Sequence, residues 1–127
     1  MPQYFAMVAL GGALGAMARY ALSIWLAPLS ENLAWGTLAA NLLGSFLAGM
    51  ILAWLQERHM AVEVRLLFQT GLLGALTTFS TFAAETLVLF LQHKPWAGLT
   101  QWALNVVGTM IAVFLGFLIT RAVLGLQ

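Results

Sequence analysis

The chain has 127 residues, 62% of them hydrophobic and 7% charged, with a mean hydropathy of +0.95. A soluble domain carries about 25% charged residues, so this one lacks the polar surface to stay in water. Its net charge of +1 argues against nucleic acid as a partner, and with no cysteine it has no disulfides and no thiol chemistry.

The solvent is therefore a lipid bilayer, where every backbone polar group needs a partner inside the protein, in helices or a closed barrel. Barrel strands alternate apolar and polar over about ten residues. The apolar runs here are continuous and longer, so the expected class is an all-α membrane protein, a single four-helix domain over 1–127.

The opening MPQYFAMVALGG lacks the basic stretch of a signal peptide, and the first apolar segment is read as part of the structure. A spanning helix needs about 20 residues. Four segments qualify: Tyr4–Ala27, Leu33–Leu55, Leu66–Leu91 and Leu99–Thr120. The first break, PLSEN, combines a helix stop with Ser30 or Asn32 as the next cap. The second, QERHMAVEVR, gathers most of the charges, and the third, QHKPW, ends the third helix before Pro95.

Four spans put both termini on the same side as the Gln56–Arg65 loop. That side holds Arg58, Arg65 and Arg121, the other Lys94 with Arg19. Such a bias is weak. It fits either ordinary insertion with cytoplasmic termini or insertion in both directions. Stripes of small residues (Gly11 and Gly15; Ala40, Gly44 and Ala48; Gly108, Ala112 and Gly116) let helices approach closely, within one subunit or between subunits. Four short helices enclose little room, so a solute pathway would lie at an oligomer interface.

The third segment carries the densest polar signal, GLLGALTTFSTFAAETL. One buried hydroxyl satisfies itself on the carbonyl a turn back. Thr77, Thr78, Ser80 and Thr81 fall within five positions and face all round a helix. A break in that helix explains them better, with Gly71 and Gly74 easing it. Phe79 and Phe82, then Phe82 and Glu85, are three apart and share a face beyond the break. Ring edges would attract an anion and ring faces a cation; ordinary core packing is the simpler alternative.

Glu85 and Arg19 are the charges well inside the spans, which makes them functional candidates. They could pair with one another, or Arg19 could line an aqueous vestibule. Asn41 with Thr37, and Asn105 with Thr109, form short polar tracks on single faces, for interhelical hydrogen bonding or a pore. No metal-ligand cluster, phosphate loop or nucleophile–base pair stands out, so an enzyme is not expected.

GGALGAMARY (Gly11–Tyr20), GTLAANLLGSFLAG (Gly36–Gly49) and GALTTFSTFAAE (Gly74–Glu85) together resemble the Fluc-type fluoride channels of the CrcB family, in order across the whole chain. The resemblance implies an antiparallel, dual-topology homodimer in the bacterial inner membrane, with two pores at its interface that export fluoride passively. It assigns Phe79 and Phe82 to rings whose edges face fluoride, Asn41 to the second-helix pore asparagine, and Ser80 and Thr81 to hydroxyls beside the break. It makes Arg19 a vestibule residue and matches Asn105 and Thr109 to the fourth-helix polar track; Thr37 and Glu85 are further pore-lining candidates from the residues themselves. It also implies a structural sodium ion at the dimer centre, held by the backbone carbonyls of Gly74 and Thr77 from both subunits. The rival is a proton-coupled multidrug-type exporter, which is also short and four-helical. Such exporters keep their working glutamate in the first helix, and Glu85 would have to replace it.

Overall fold

A computed structural model describes residues 1–125. Helix α1 (Pro2–Leu26) opens on a proline, pre-organised for a first helical position, and runs into a 3₁₀ turn at Ala27–Leu29. Helix α2 spans Trp35–Glu57. The third stretch is composite: α3 (Val62–Arg65), a π-helical segment (Leu66–Leu73), α4 (Gly74–Leu76), then α5 (Phe79–Leu91). The fourth runs through α6 (Pro95–Ala103), a second π-helical segment (Leu104–Gly108) and α7 (Thr109–Leu124). Among the described residues the regular structure is all-helical. Four stretches are long and apolar enough to cross a membrane, at Pro2–Leu29, Trp35–Gln56, Val62–Leu91 and Pro95–Leu124.

The ends of these stretches differ from expectation in informative ways. The third begins at Val62 rather than Leu66, because Glu63 sits in its first turn, where a carboxylate complements the helix dipole. The fourth begins at Pro95, not Leu99: the proline that ends one helix starts the next. Neither Ser30 nor Asn32 caps α2. Ser30 Oγ donates to the Leu26 carbonyl at 3.0 Å, Asn32 Oδ1 accepts from Lys94 Nζ at 3.4 Å, and the capping position falls to Ala34, which has no side-chain oxygen. Helix α5 closes without a glycine. His93 takes the left-handed conformation (φ 58°), with its N–H on the Phe90 carbonyl and that of Lys94 on Leu89.

Lipid tails are as apolar as leucine, so packing rests on close backbone approach rather than on hiding apolar surface from water. A Cβ at Gly49 would overlap the Val113 carbonyl, and one at Gly116 the Phe46 carbonyl, so α2 and α7 are joined by a reciprocal pair of glycines. Gly11 and Gly15 bring α1 onto the carbonyls of Leu67 and Leu72, while Gly71 meets the Val8 carbonyl from the other side. These stripes thus serve contacts within one chain. Ala40, Leu73 and Leu76 form the buried centre, while Phe5, Trp25 and Phe114 face outward.

Gly49→Val is expected to lower stability in detergent by about 3 kcal/mol or more, because overpacking here meets rigid backbone. Gly12→Ala, where a Cβ meets nothing within 4 Å, should raise it by about 0.8 kcal/mol through helix propensity. Thermal unfolding followed by tryptophan fluorescence reads both.

Candidate functional site

Thr77 (φ −82°, ψ 153°) and Thr78 (φ −153°, ψ 118°) are extended rather than helical. Two such residues between α4 and α5 leave backbone groups that a continuous helix would pair. Most of the polar chemistry of the chain collects around these groups. Asn41, reaching over from α2, takes the Thr78 N–H on Oδ1 at 2.7 Å and donates Nδ2 to the Thr78 carbonyl at 3.1 Å. The primary amide thus pairs with both faces of one peptide residue, as a neighbouring strand would. Its second Nδ2 proton goes to Asn105 Oδ1 at 2.8 Å. Both donor protons of Asn41 are therefore committed within the chain. Thr78 also caps α5, its Oγ1 accepting from the Thr81 N–H at 3.2 Å and donating to Thr81 Oγ1 at 3.0 Å.

This clamp floors a groove of about 330 Å³ walled by Thr77, Phe79, Phe82, Asn105 and Thr109. The two rings lie nearly perpendicular (77°), centroids 5.2 Å apart, in an edge-to-face pair. Phe82 is buried at 4% exposure and Phe79 is 76% exposed, so one ring anchors the pair and the other is presented outward. Asn105 fixes itself by donating to the Gln101 carbonyl at 3.0 Å, and Thr109 Oγ1 bonds back to the Asn105 carbonyl at 2.5 Å.

Thr37 and Glu85 sit farther along, joined by a 2.7 Å hydrogen bond from Thr37 Oγ1 to Glu85 Oε1. Glu85 faces two more openings, one of about 410 Å³ shared with Thr81 and one of about 220 Å³ shared with Thr37 and Ser23. Its Oε2 is buried without a hydrogen-bond partner. Ser80 is exposed, its Oγ 3.3 Å from Thr78 Oγ1. Arg19 does not join the group. It is half-buried on α1, its carbonyl accepting from Ser23 Oγ, and among the described residues no ion pair links it to Glu85.

The carbonyls of Gly74 and Thr77 also lose their usual donors. The Thr78 N–H has turned to Asn41, the Thr81 N–H to the Thr78 hydroxyl, and the Thr77 N–H bonds Leu73. Gly74, exposed, and Thr77, half-buried, border a further groove of about 290 Å³ with Gly44, Ser45 and Gln69. Bare carbonyl oxygens are suitable ligands for a hard cation.

Two residues escaped the sequence reading. Ser45 lines the groove beside Asn41 and that beside Gly74. Its spacing of one turn from Asn41 was the available signal. Gln101 is completely buried, its Oε1 accepting the Ala34 N–H at 3.3 Å while Nε2 has no partner. It extends the Asn105–Thr109 track by one turn. Its hydrogen bond is worth about 1 kcal/mol, and a buried orphan donor costs about 1–3 kcal/mol, so this glutamine brings no net stability.

Four membrane-length helices around a hydrogen-bonded polar groove define a multi-pass membrane protein. The chain belongs to the CrcB-like protein family (Camphor Resistance, CrcB), which matches residues 6–117. It is 44% identical over 119 residues to the fluoride-specific ion channel FluC of Hahella chejuensis, covering 92% of this chain and 94% of that one. The protein of the same name from Legionella pneumophila (strain Paris) is 47% identical over 124 residues, covering 92% and 89%. That of Histophilus somni (strain 2336) is 42% identical over 117 residues, covering 91% of each.

Replacing Asn41 by Leu strands the Thr78 N–H and carbonyl together with Asn105 Oδ1. At about 1–3 kcal/mol for each orphan, the variant should lose about 3 kcal/mol or more in thermal unfolding. Ser45→Ala, whose hydroxyl makes no hydrogen bond among the described residues, should shift stability by less than about 0.5 kcal/mol.

Proposed function

We propose that the protein is a fluoride channel, conducting passively and exporting fluoride across the bacterial inner membrane. The observation that carries this is the extended pair Thr77–Thr78, clamped by Asn41 beside the Phe79–Phe82 rings, in a chain whose relatives are named as fluoride channels. We read that pair as the break of the third span.

Fluoride is small and strongly hydrated, so a dry path must replace its water with donors. Fixed positive charge deep in the path would trap it; conduction needs binding spread over several modest sites. The groove supplies modest donors. Asn41 keeps the break open, leaving the Ser45 hydroxyl and the second Nδ2 proton of Asn105 as uncommitted donors at its wall. Thr81 Oγ1 accepts from Thr78, so its own proton is free toward the opening that it shares with Glu85. The positive edges of Phe79 and Phe82 would complete the shell without charge. Lipid could cover the exposed Phe79 ring, but an ion path beside it needs a second polar surface in its place. An antiparallel, dual-topology homodimer with two such paths would supply one, and Arg19 would then attract anions at the vestibule.

The Gly74 and Thr77 carbonyls are suited to a structural sodium ion shared with the same carbonyls of a second copy, since a hard cation takes several oxygen ligands. Such an ion would add positive potential between the two paths and tie the subunits together. The proton-coupled exporter is not supported. The relatives of the chain are named as fluoride channels.

Purified protein in liposomes should release fluoride without a pH gradient or coupling ion, read by a fluoride electrode, and Phe82→Ile should slow release by about tenfold or more, as expected when one of several weak sites is removed. No release from the unmodified protein would end the proposal. Replacing sodium with N-methylglucamine should lower the dimer's melting temperature, by about 2.7 kcal/mol of linkage if sodium stands at a hundred times its Kd. An unchanged melt would remove the sodium assignment.

A further inference from the structure

Helix α2 starts without a cap of its own. Its capping residue is Ala34, and no side chain at that turn returns to the Ala34 N–H. In a capping box a Glu or Gln at the third helical position takes that N–H; here the position holds Thr37. The Thr37 hydroxyl instead donates to Glu85 Oε1 at 2.7 Å. The Ala34 N–H is taken by Gln101 Oε1 at 3.3 Å, from α6, 67 residues away in sequence. A backbone N–H is a donor, so the amide oxygen faces it, and Nε2 is left buried without an acceptor. An apolar residue of similar size would exchange that orphan for an unpaired Ala34 N–H, at a similar cost, so stability alone does not account for a completely buried glutamine here.

We propose that Gln101 is a positioning residue for the mouth of the polar groove. By capping α2 from the fourth span it holds that turn where Thr37 meets Glu85. The carboxylate lines both openings at this end. A second link joins the same two spans deeper in, Asn41 Nδ2 to Asn105 Oδ1 at 2.8 Å. Gln101 therefore acts on the first turn of α2, while the Asn41 clamp stays in place without it. The proposal rests on the fluoride-channel reading for what passes the mouth, but the capping itself is measured independently of any ion.

The test is Gln101→Leu in the full chain, with three measurements: thermal unfolding in detergent, amide hydrogen exchange, and fluoride release from liposomes. The expected result is a melting temperature equal to or above that of the unmodified protein. Exchange at Ala34–Thr37 should speed up by about tenfold or more, with the rest of α2 unchanged, as a local opening requires. Fluoride release should fall by about tenfold, the scale on which a supporting residue acts through its neighbour. Unchanged exchange at Ala34–Thr37, or faster exchange there with undiminished release, would overturn the proposal. So would a protein that melts lower or fails to fold, which would make Gln101 a stability residue. If the unmodified protein itself releases no fluoride, the channel reading fails, and exchange at Ala34–Thr37 alone decides the capping role.

Discussion

The arrangement of the polar residues depends on one side chain. Asn41 stands in for the hydrogen bonds that a helix gives up when Thr77 and Thr78 leave it, pairing with the N–H and the carbonyl of Thr78 at once. In hydrocarbon each unsatisfied backbone group costs several kcal/mol, so an extended pair inside a membrane-length stretch persists only if something of that strength answers it. A primary amide is well suited, carrying a donor and an acceptor at nearly the spacing of a peptide. Two threonine hydroxyls would satisfy the same groups with more freedom and less geometric definition.

From that clamp the rest of the polar network follows by shared capacity. Asn41 passes its remaining proton to Asn105, which ties itself to the Gln101 carbonyl, and Gln101 reaches back to the start of α2. Hydrogen bonds in a low-dielectric interior strengthen one another and penalise any gap. The leftover groups therefore carry information. Glu85 Oε2 and Gln101 Nε2 remain without partners, and both residues are tied to the first turn of α2. Their cost is tolerated at the mouth, where grooves open outward, whereas at the clamp both the N–H and the carbonyl of Thr78 are paired.

The apolar frame meets a different requirement. Water-driven burial contributes nothing between helices in lipid, so contact must come from surfaces smooth enough for backbones to touch. Gly49 and Gly116 join α2 to α7, and Gly11, Gly15 and Gly71 join α1 to the third stretch. Helix α5 is held more lightly, chiefly by the Phe90 ring over Gly98 and by Phe82. It leaves Phe79 and much of its apolar length facing outward. A frame rigid around α2 and open along α5 suits the proposed path at a surface shared by two copies.

Composition by itself determined the solvent, the helical class and the number of spans, because lipid leaves a backbone few other solutions. Hydroxyl density at Thr77–Thr81 singled out the part of the third stretch where Thr77 and Thr78 are extended, since four such residues cannot share one face. The glycine stripes were visible too, although not their partners. Tertiary structure alone decided which groups meet: that Asn41 seizes Thr78 with its donor protons committed, that no ion pair joins Arg19 to Glu85 among the described residues, and that Ala34 rather than Ser30 or Asn32 begins α2. Periodicity tells which residues share a face of one helix. The meeting of two helices depends on their relative rotation and depth, and these are set by the contacts of all four stretches together.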